Sequence, residues 1–192
     1  MPTQLISVIK IVLAVITYVF SASFTYELPM GEMVVPITGQ SLAIVCWAFF
    51  LRPMESVIAV GTYILMGAYA LPVFANGAQG VEVLTGNTGG YIFGFLLASL
   101  VVSWLRDPYK KENPFSVLIL MIVGTIIILI CGIIRLNILM GFEDAKLYGF
   151  FNLWRGAIIK IVLGTIICYA IHMIFRFATP DKYKKKVEEF KV

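Results

Sequence analysis

Charge is scarce in this chain. Only 14% of its 192 residues are Asp, Glu, Lys or Arg, against about a quarter in an average soluble domain. Beside an apolar content of 60%, that shortage excludes a soluble globular domain and leaves an integral membrane protein. The net charge of +4 comes mostly from Lys182, Lys184, Lys185 and Lys186 in the C-terminal tail. Such a tail faces anionic lipid at the cytoplasmic surface. With no basic soluble domain, a nucleic-acid partner is not expected; membrane lipid is.

Histidine and cysteine are scarce too. His172 stands alone, and Cys46, Cys131 and Cys168 lie in apolar runs without metal-ligand spacing. No metal site follows: the cysteines are expected to be buried thiols and the histidine a packing residue. No G-x-x-x-x-G-K-[ST], H-E-x-x-H or G-x-S-x-G motif occurs, nor an acidic pair placed in mid-membrane for proton relay. The chain is therefore not expected to be an enzyme, to bind ATP or to hold a cofactor. Energy for moving a solute uphill would come from another subunit. The N-terminal apolar run is too long for a cleaved signal peptide and is followed by no convincing cleavage site.

What is present is long apolar runs. A spanning helix needs about 20 such residues. The chain reads as a single membrane domain over 1–192, all-α, with six spans at about 5–24, 33–50, 54–71, 89–105, 114–136 and 152–177 and a basic tail over 178–192. Lys10, Arg52, Arg106, Lys110, Lys111, Arg176 and the tail collect on one side. Lys146, Glu27, Glu32, Glu82, Glu143 and Asp144 collect on the other. The positive-inside rule then puts both termini in the cytoplasm and the loop after the third span outside. No internal repeat is apparent.

That loop, with the start of the next span, reads LPVFANGAQGVEVLTGNTGGYIFGF from Leu71 to Phe95. It is long for a plain turn, and it mixes apolar anchors with amides, as binding loops and lids do; an ordinary solvated loop is the alternative. Gly86, Gly90 and Gly94 recur every four residues, which suits close helix packing. The second span opens Val35-Pro36-Ile37-Thr38-Gly39-Gln40, and irregular backbone at membrane depth survives when buried in protein or lining a polar cavity. Gln40 either lines that cavity or bonds to a neighbouring helix. Trp47, Trp104 and Trp154 are expected at the membrane interfaces.

Arg135, Arg155 and Lys160 lie in or near outer halves of spans. The two arginines can reach the outer surface along their stems. Lys160 sits roughly 12 Å along the helix from Asn152, too deep to do so easily, and no nearby carboxylate in the sequence pairs with it. An intramembrane cation is a functional candidate, and an anionic ligand is its expected partner. On the first span Thr17, Ser21 and Thr25, with Ala14 and Ala22, form a small-residue face suited to helix contact within the bundle or with a second membrane protein.

Val35-Pro36-Ile37-Thr38-Gly39-Gln40, Gly67-Ala68-Tyr69-Ala70-Leu71-Pro72-Val73-Phe74-Ala75 and Gly86-Asn87-Thr88-Gly89-Gly90-Tyr91-Ile92-Phe93-Gly94-Phe95 together resemble the BioY family, the biotin-binding S components of energy-coupling-factor (ECF) transporters. The likeness in order, spacing and span number covers nearly the whole chain. It implies a six-helix bundle that binds biotin in an outward-facing pocket, under the loops after the first and third spans. It also implies an ECF T component and two cytoplasmic ATPases as partners, and delivery by toppling within the membrane. The ligand-binding residues it suggests are Thr38, Gln40, Phe74, Asn76, Asn87, Tyr91, Arg155 and Lys160, with Ala14, Ser21 and Ala22 docking the partner. Two departures stand out. Asn87 replaces the proline of the family's G-P-T-G-G-Y. The run Asn152 to Lys160 keeps Gly156 and Lys160 of P-F-x-P-G-D-x-x-K but has Ala157 in place of the acid.

Overall fold

A computed structural model describes residues 3–26, 37–106, 113–151 and 153–178. The expected acidic hinge with Val35 and Pro36, Lys110 and Lys111, Asn152 and the basic tail lie outside them. Six long helices carry the fold: α1 (Thr3–Ala22), α2 (Gln40–Phe50), α3 (Pro53–Tyr69), α5 (Gly89–Leu105), α6 (Pro114–Met140) and α8 (Trp154–Ala178). Two short ones, α4 (Val81–Thr85) and α7 (Phe142–Lys146), belong to the connections, as do a 3₁₀ turn at Ala75–Gly77 and a π-type turn at Leu147–Phe151. The described residues are all-α apart from a two-residue antiparallel bridge between β1 (Thr25–Tyr26) and β2 (Ile37–Thr38).

The segments Gln4–Ala22, Pro114–Met140 and Phe142–Ala178 are long and apolar enough to cross a membrane, and α2 and α5 are shorter apolar helices. Large apolar side chains such as Phe20, Ile134, Ile166 and Phe177 point outward, as a lipid-facing surface requires. Tyr18, Ile44, Phe49, Tyr63 and Met121 fill the centre.

Helix ends follow local chemistry. Pro53 and Pro114 occupy first helical turns, where a missing N–H costs nothing. Asn113 caps α6 by accepting from Ser116 N at 2.7 Å. The second span is shorter than expected: helix begins at Gln40, because Ile37–Thr38 pairs with Thr25–Tyr26 just after the first span and Gly39 N donates to Phe24 O at 2.9 Å. The fifth span runs past Leu136 to Met140.

One end of the bundle gathers cations. Arg52 Nε donates to Glu55 Oε1 at 3.1 Å, Ser7 Oγ donates to the same oxygen at 2.6 Å, and Arg52 N donates to Glu55 Oε2 at 2.9 Å. This clamp joins the α2–α3 turn to the start of α1. At the same end the Arg106 guanidinium lies 4.5 Å from the centre of the Phe49 ring, and the buried His172 ring meets Phe49 edge-on at 6.3 Å. His172 is thus in the packing position expected of it.

The α1 residues expected to dock a partner lie inside the bundle. Ala14, Ser21 and Ala22 are 0%, 8% and 4% exposed. They meet the protein's own helices, and Ser21 Oγ donates to Tyr18 O at 2.8 Å. Small residues let α1 approach its neighbours closely, and its outer face is instead large and apolar, with Leu5, Val12, Ile16 and Phe20.

Candidate ligand site

At the end opposite the Arg52–Glu55 clamp the bundle encloses a cavity of about 230 Å³. α2, α5, α6 and α8 form its sides, and the α3–α5 connection covers it. Thr38, Gln40, Phe74, Tyr91 and Lys160, five of the expected site residues, line it.

A chain of hydrogen bonds fixes one wall. Thr38 Oγ1 donates to Gln40 Oε1 at 2.9 Å, Gln40 Nε2 donates to the Tyr63 hydroxyl, and that hydroxyl donates to Val73 O at 3.0 Å. Gln40 is only 5% exposed, so its amide already serves the structure. Both readings of Gln40 therefore hold in part: it lines the cavity and bonds to a neighbouring helix. Phe74 follows Val73 and packs on α3 at Gly67, where any Cβ would stand 2.3 Å from the ring's Cζ. The Tyr63 and Phe74 rings meet edge-on at 5.7 Å.

Tyr91 forms the facing wall. Its ring lies against Gly132 of α6, and its hydroxyl donates to Gly149 O at 3.5 Å. Gly90 and Gly94 fill the packing role expected of them: a Cβ at Gly90 would fall 2.5 Å from Cys131 O, and one at Gly94 3.0 Å from Ile128 Cα. Gly86 lies before the helix and lines the cavity instead.

Lys160 is the charged residue among the described residues that line this space, and no lining residue is acidic. Its Nζ donates to Ser41 Oγ at 2.9 Å. Ser41, Thr88 and Thr125 supply the remaining hydroxyls. Sequence reasoning missed Ser41, Thr88 and Thr125 as site residues; for Thr125, a hydroxyl inside the very apolar α6 was the signal available.

Three expected ligand residues lie elsewhere. Asn76 sits at the 3₁₀ turn with φ 58° and is exposed, while its neighbours Ala75 and Ala78 face the cavity. Asn87 is half-buried but is not a lining residue, although Gly86 and Thr88 on either side are. Arg155 is exposed, with its guanidinium 5.6 Å from the centre of the Trp154 ring. Arg135 is half-buried and reaches the loop at the outer end, where it donates through Nη2 to the exposed Thr85 O and through Nε to Gly86 O at 3.5 Å.

An apolar helical bundle with a covered cavity and one inward cation has the fold of a transporter S component. It matches the crystal structure of the S-component for biotin from an ECF-type ABC transporter, with a TM-score of 0.76 and 20% identity, over 90% of this chain and 95% of that one. A model of the BioY family matches residues 1–177, and the chain belongs to the BioY family. The probable biotin transporter BioY of Rickettsia prowazekii (strain Madrid E) is 33% identical over 161 residues, 84% of this chain and 80% of that protein. The biotin transporter BioY of Thermotoga maritima is 37% identical over 142 residues, 73% and 82% of the two chains. The biotin transporter BioY2 of Lactococcus lactis subsp. cremoris is 32% identical over 158 residues, 81% and 84%.

Proposed function

We propose that this chain is the substrate-binding membrane subunit of a biotin uptake system, capturing biotin outside the cell and releasing it inward with an ECF module. The observation that carries the reading is the cavity's chemistry: aromatic and aliphatic walls, a few hydroxyls, and the Lys160 ammonium as its charge. Biotin has a compact apolar ring system, a ureido group and one carboxylate, so it matches that set. The clustering of Arg52 and Arg106 at the far end supports an outward-facing cavity by the positive-inside rule.

In this reading Phe74 and Tyr91 pack on the bicyclic ring. Thr38, Ser41, Thr88 and Thr125 are within the lining to meet the ureido group. Lys160 offsets the carboxylate or holds the ureido carbonyl oxygen. A buried polar group left unpaired costs about 1–3 kcal/mol, which disfavours apolar look-alikes. The described residues carry no phosphate-binding loop, so the power stroke belongs to partners of this cell-membrane subunit: a T component and two cytoplasmic ATPases.

A second reading, uptake of a related small anionic vitamin or precursor, with or without ATPase partners, is favoured by Ala157. It lines the cavity where the family pattern has an acid, so an acceptor for ureido N–H is missing. A ligand-free assembly subunit is the third. Gentle purification followed by mass spectrometry of the bound small molecule separates the three. Biotin supports the main reading, another anion the second, and an empty protein that binds no biotin the third.

A further inference from the structure

The roof of the cavity is held in two different ways. Its first half is fastened to α3: Gly80 N donates to Gly67 O at 2.8 Å, Tyr63 holds Val73 O, and Phe74 sits on Gly67. The second half, α4 and the linker to α5, makes bonds along itself. Gly86 N donates to Glu82 O at 2.8 Å, Gly89 N to Gly86 O at 3.3 Å, and Thr88 Oγ1 to Val83 O at 3.4 Å. Three of its residues, Val83, Gly86 and Thr88, are cavity wall. Across the gap stands Arg135 of α6, whose guanidinium takes the carbonyls of Thr85 and Gly86. Its path is open because Gly90 has no side chain: a Cβ there would lie 2.4 Å from Arg135 Cβ.

We propose that Arg135 is a positioning residue for ligand retention, a latch that holds the Thr85–Gly86 carbonyls and so keeps the second half of the roof over the bound ligand. Charge-assisted bonds from a planar fork are stronger and more directional than neutral ones. Two of them on consecutive carbonyls fix both the height and the tilt of the linker. Arg135 itself does not touch the cavity; it acts through the backbone of Gly86. Losing it lets the linker lift, and the ligand escapes faster while capture is no slower.

The test uses the full chain in detergent or nanodiscs. Its binding arm rests on the biotin reading above. Release of labelled biotin into excess cold biotin is timed for wild type, Arg135→Lys and Arg135→Met, beside capture rates and ligand-free melting temperatures. The expected result is release about tenfold faster for Arg135→Met, intermediate for Arg135→Lys, with unslowed capture and an unchanged melting temperature. If the methionine variant fails to fold, the lysine variant carries the test. Release within twofold of wild type overturns the latch, as does slower capture with a parallel drop in melting temperature, which would mark a merely structural arginine. A second arm needs no ligand: hydrogen exchange at the Gly86 and Gly89 amides should quicken in the variants while α3 is unaffected, and unchanged exchange there overturns the proposal. Failure of wild type to bind biotin would refute the ligand assignment and leave the exchange arm to decide the latch.

Discussion

Lys160 Nζ donates to Ser41 Oγ at 2.9 Å, joining residues 119 positions apart on α8 and α2. That bond places the ammonium in the cavity lining, with a neutral hydroxyl as its partner. A hydroxyl does not neutralise it, so the site is poised for an anion or a strong acceptor.

The Thr38–Gln40–Tyr63–Val73 chain should behave as a unit. Gln40→Ala and Tyr63→Phe each strand a buried polar group and should cost about 1–3 kcal/mol. The double variant should cost less than the sum, with a coupling of about 0.5–3 kcal/mol. Denaturation in detergent measures this, and strict additivity would show that the chain is not cooperative.

Glu55→Ala should destabilise the protein more than Arg52→Ala. Glu55 is buried and accepts from three donors, whereas the Arg52 side chain is 69% exposed. The expected losses are about 1–3 kcal/mol for the glutamate and under about 1 kcal/mol for the arginine. Equal losses in thermal unfolding would contradict the clamp.

Gly90→Ala should cost about 1–3 kcal/mol by forcing α5 off α6, because its Cβ would meet backbone at 2.5 Å. Gly61→Ala should be tolerated, since nothing lies within 4 Å of a Cβ there. Melting temperatures of the pair, measured side by side, check the contrast.

Much of this was readable in the residues, and the exceptions have physical causes. The fourth span shows its ends plainly: Gly89-Gly90 open it and Arg106 closes it. The second span does not, because whether Ile37–Thr38 is helix or bridge depends on the chain it meets, Thr25–Tyr26 just after α1. The fifth span runs beyond Leu136 because the Arg135 charge is met by the linker carbonyls and need not mark the membrane boundary. Gln40 and Tyr91 near the ends of apolar runs, and Lys160 two turns into one, were visible candidates. Arg155 precedes Lys160 by five residues, about 140° around a helix, so the two cannot share a face; Ala157, three before Lys160, can. Asn76 could not be placed, because its left-handed backbone sets which side of the loop it faces. The small residues of α1 mark close approach without saying to which neighbour, and the approach proves internal.

Phe74 and Asn76 separate the cavity from its outer surface. Phe74→Ala should weaken biotin binding at least tenfold, whereas Asn76→Ala and Arg155→Ala should stay within about threefold, every tenfold being about 1.4 kcal/mol. Equilibrium binding of labelled biotin checks this, and a large loss for Asn76→Ala or Arg155→Ala would move the site to the loop's outer face.

The most direct test is the biotin affinity of the purified wild type beside Lys160→Ala. A bond from a charged group is worth about 1.5–3 kcal/mol, or about ten- to a hundredfold. Submicromolar binding by wild type with a loss of that size in the variant is the expected result. Equal affinity in the two proteins would take Lys160 out of the ligand site and contradict the account.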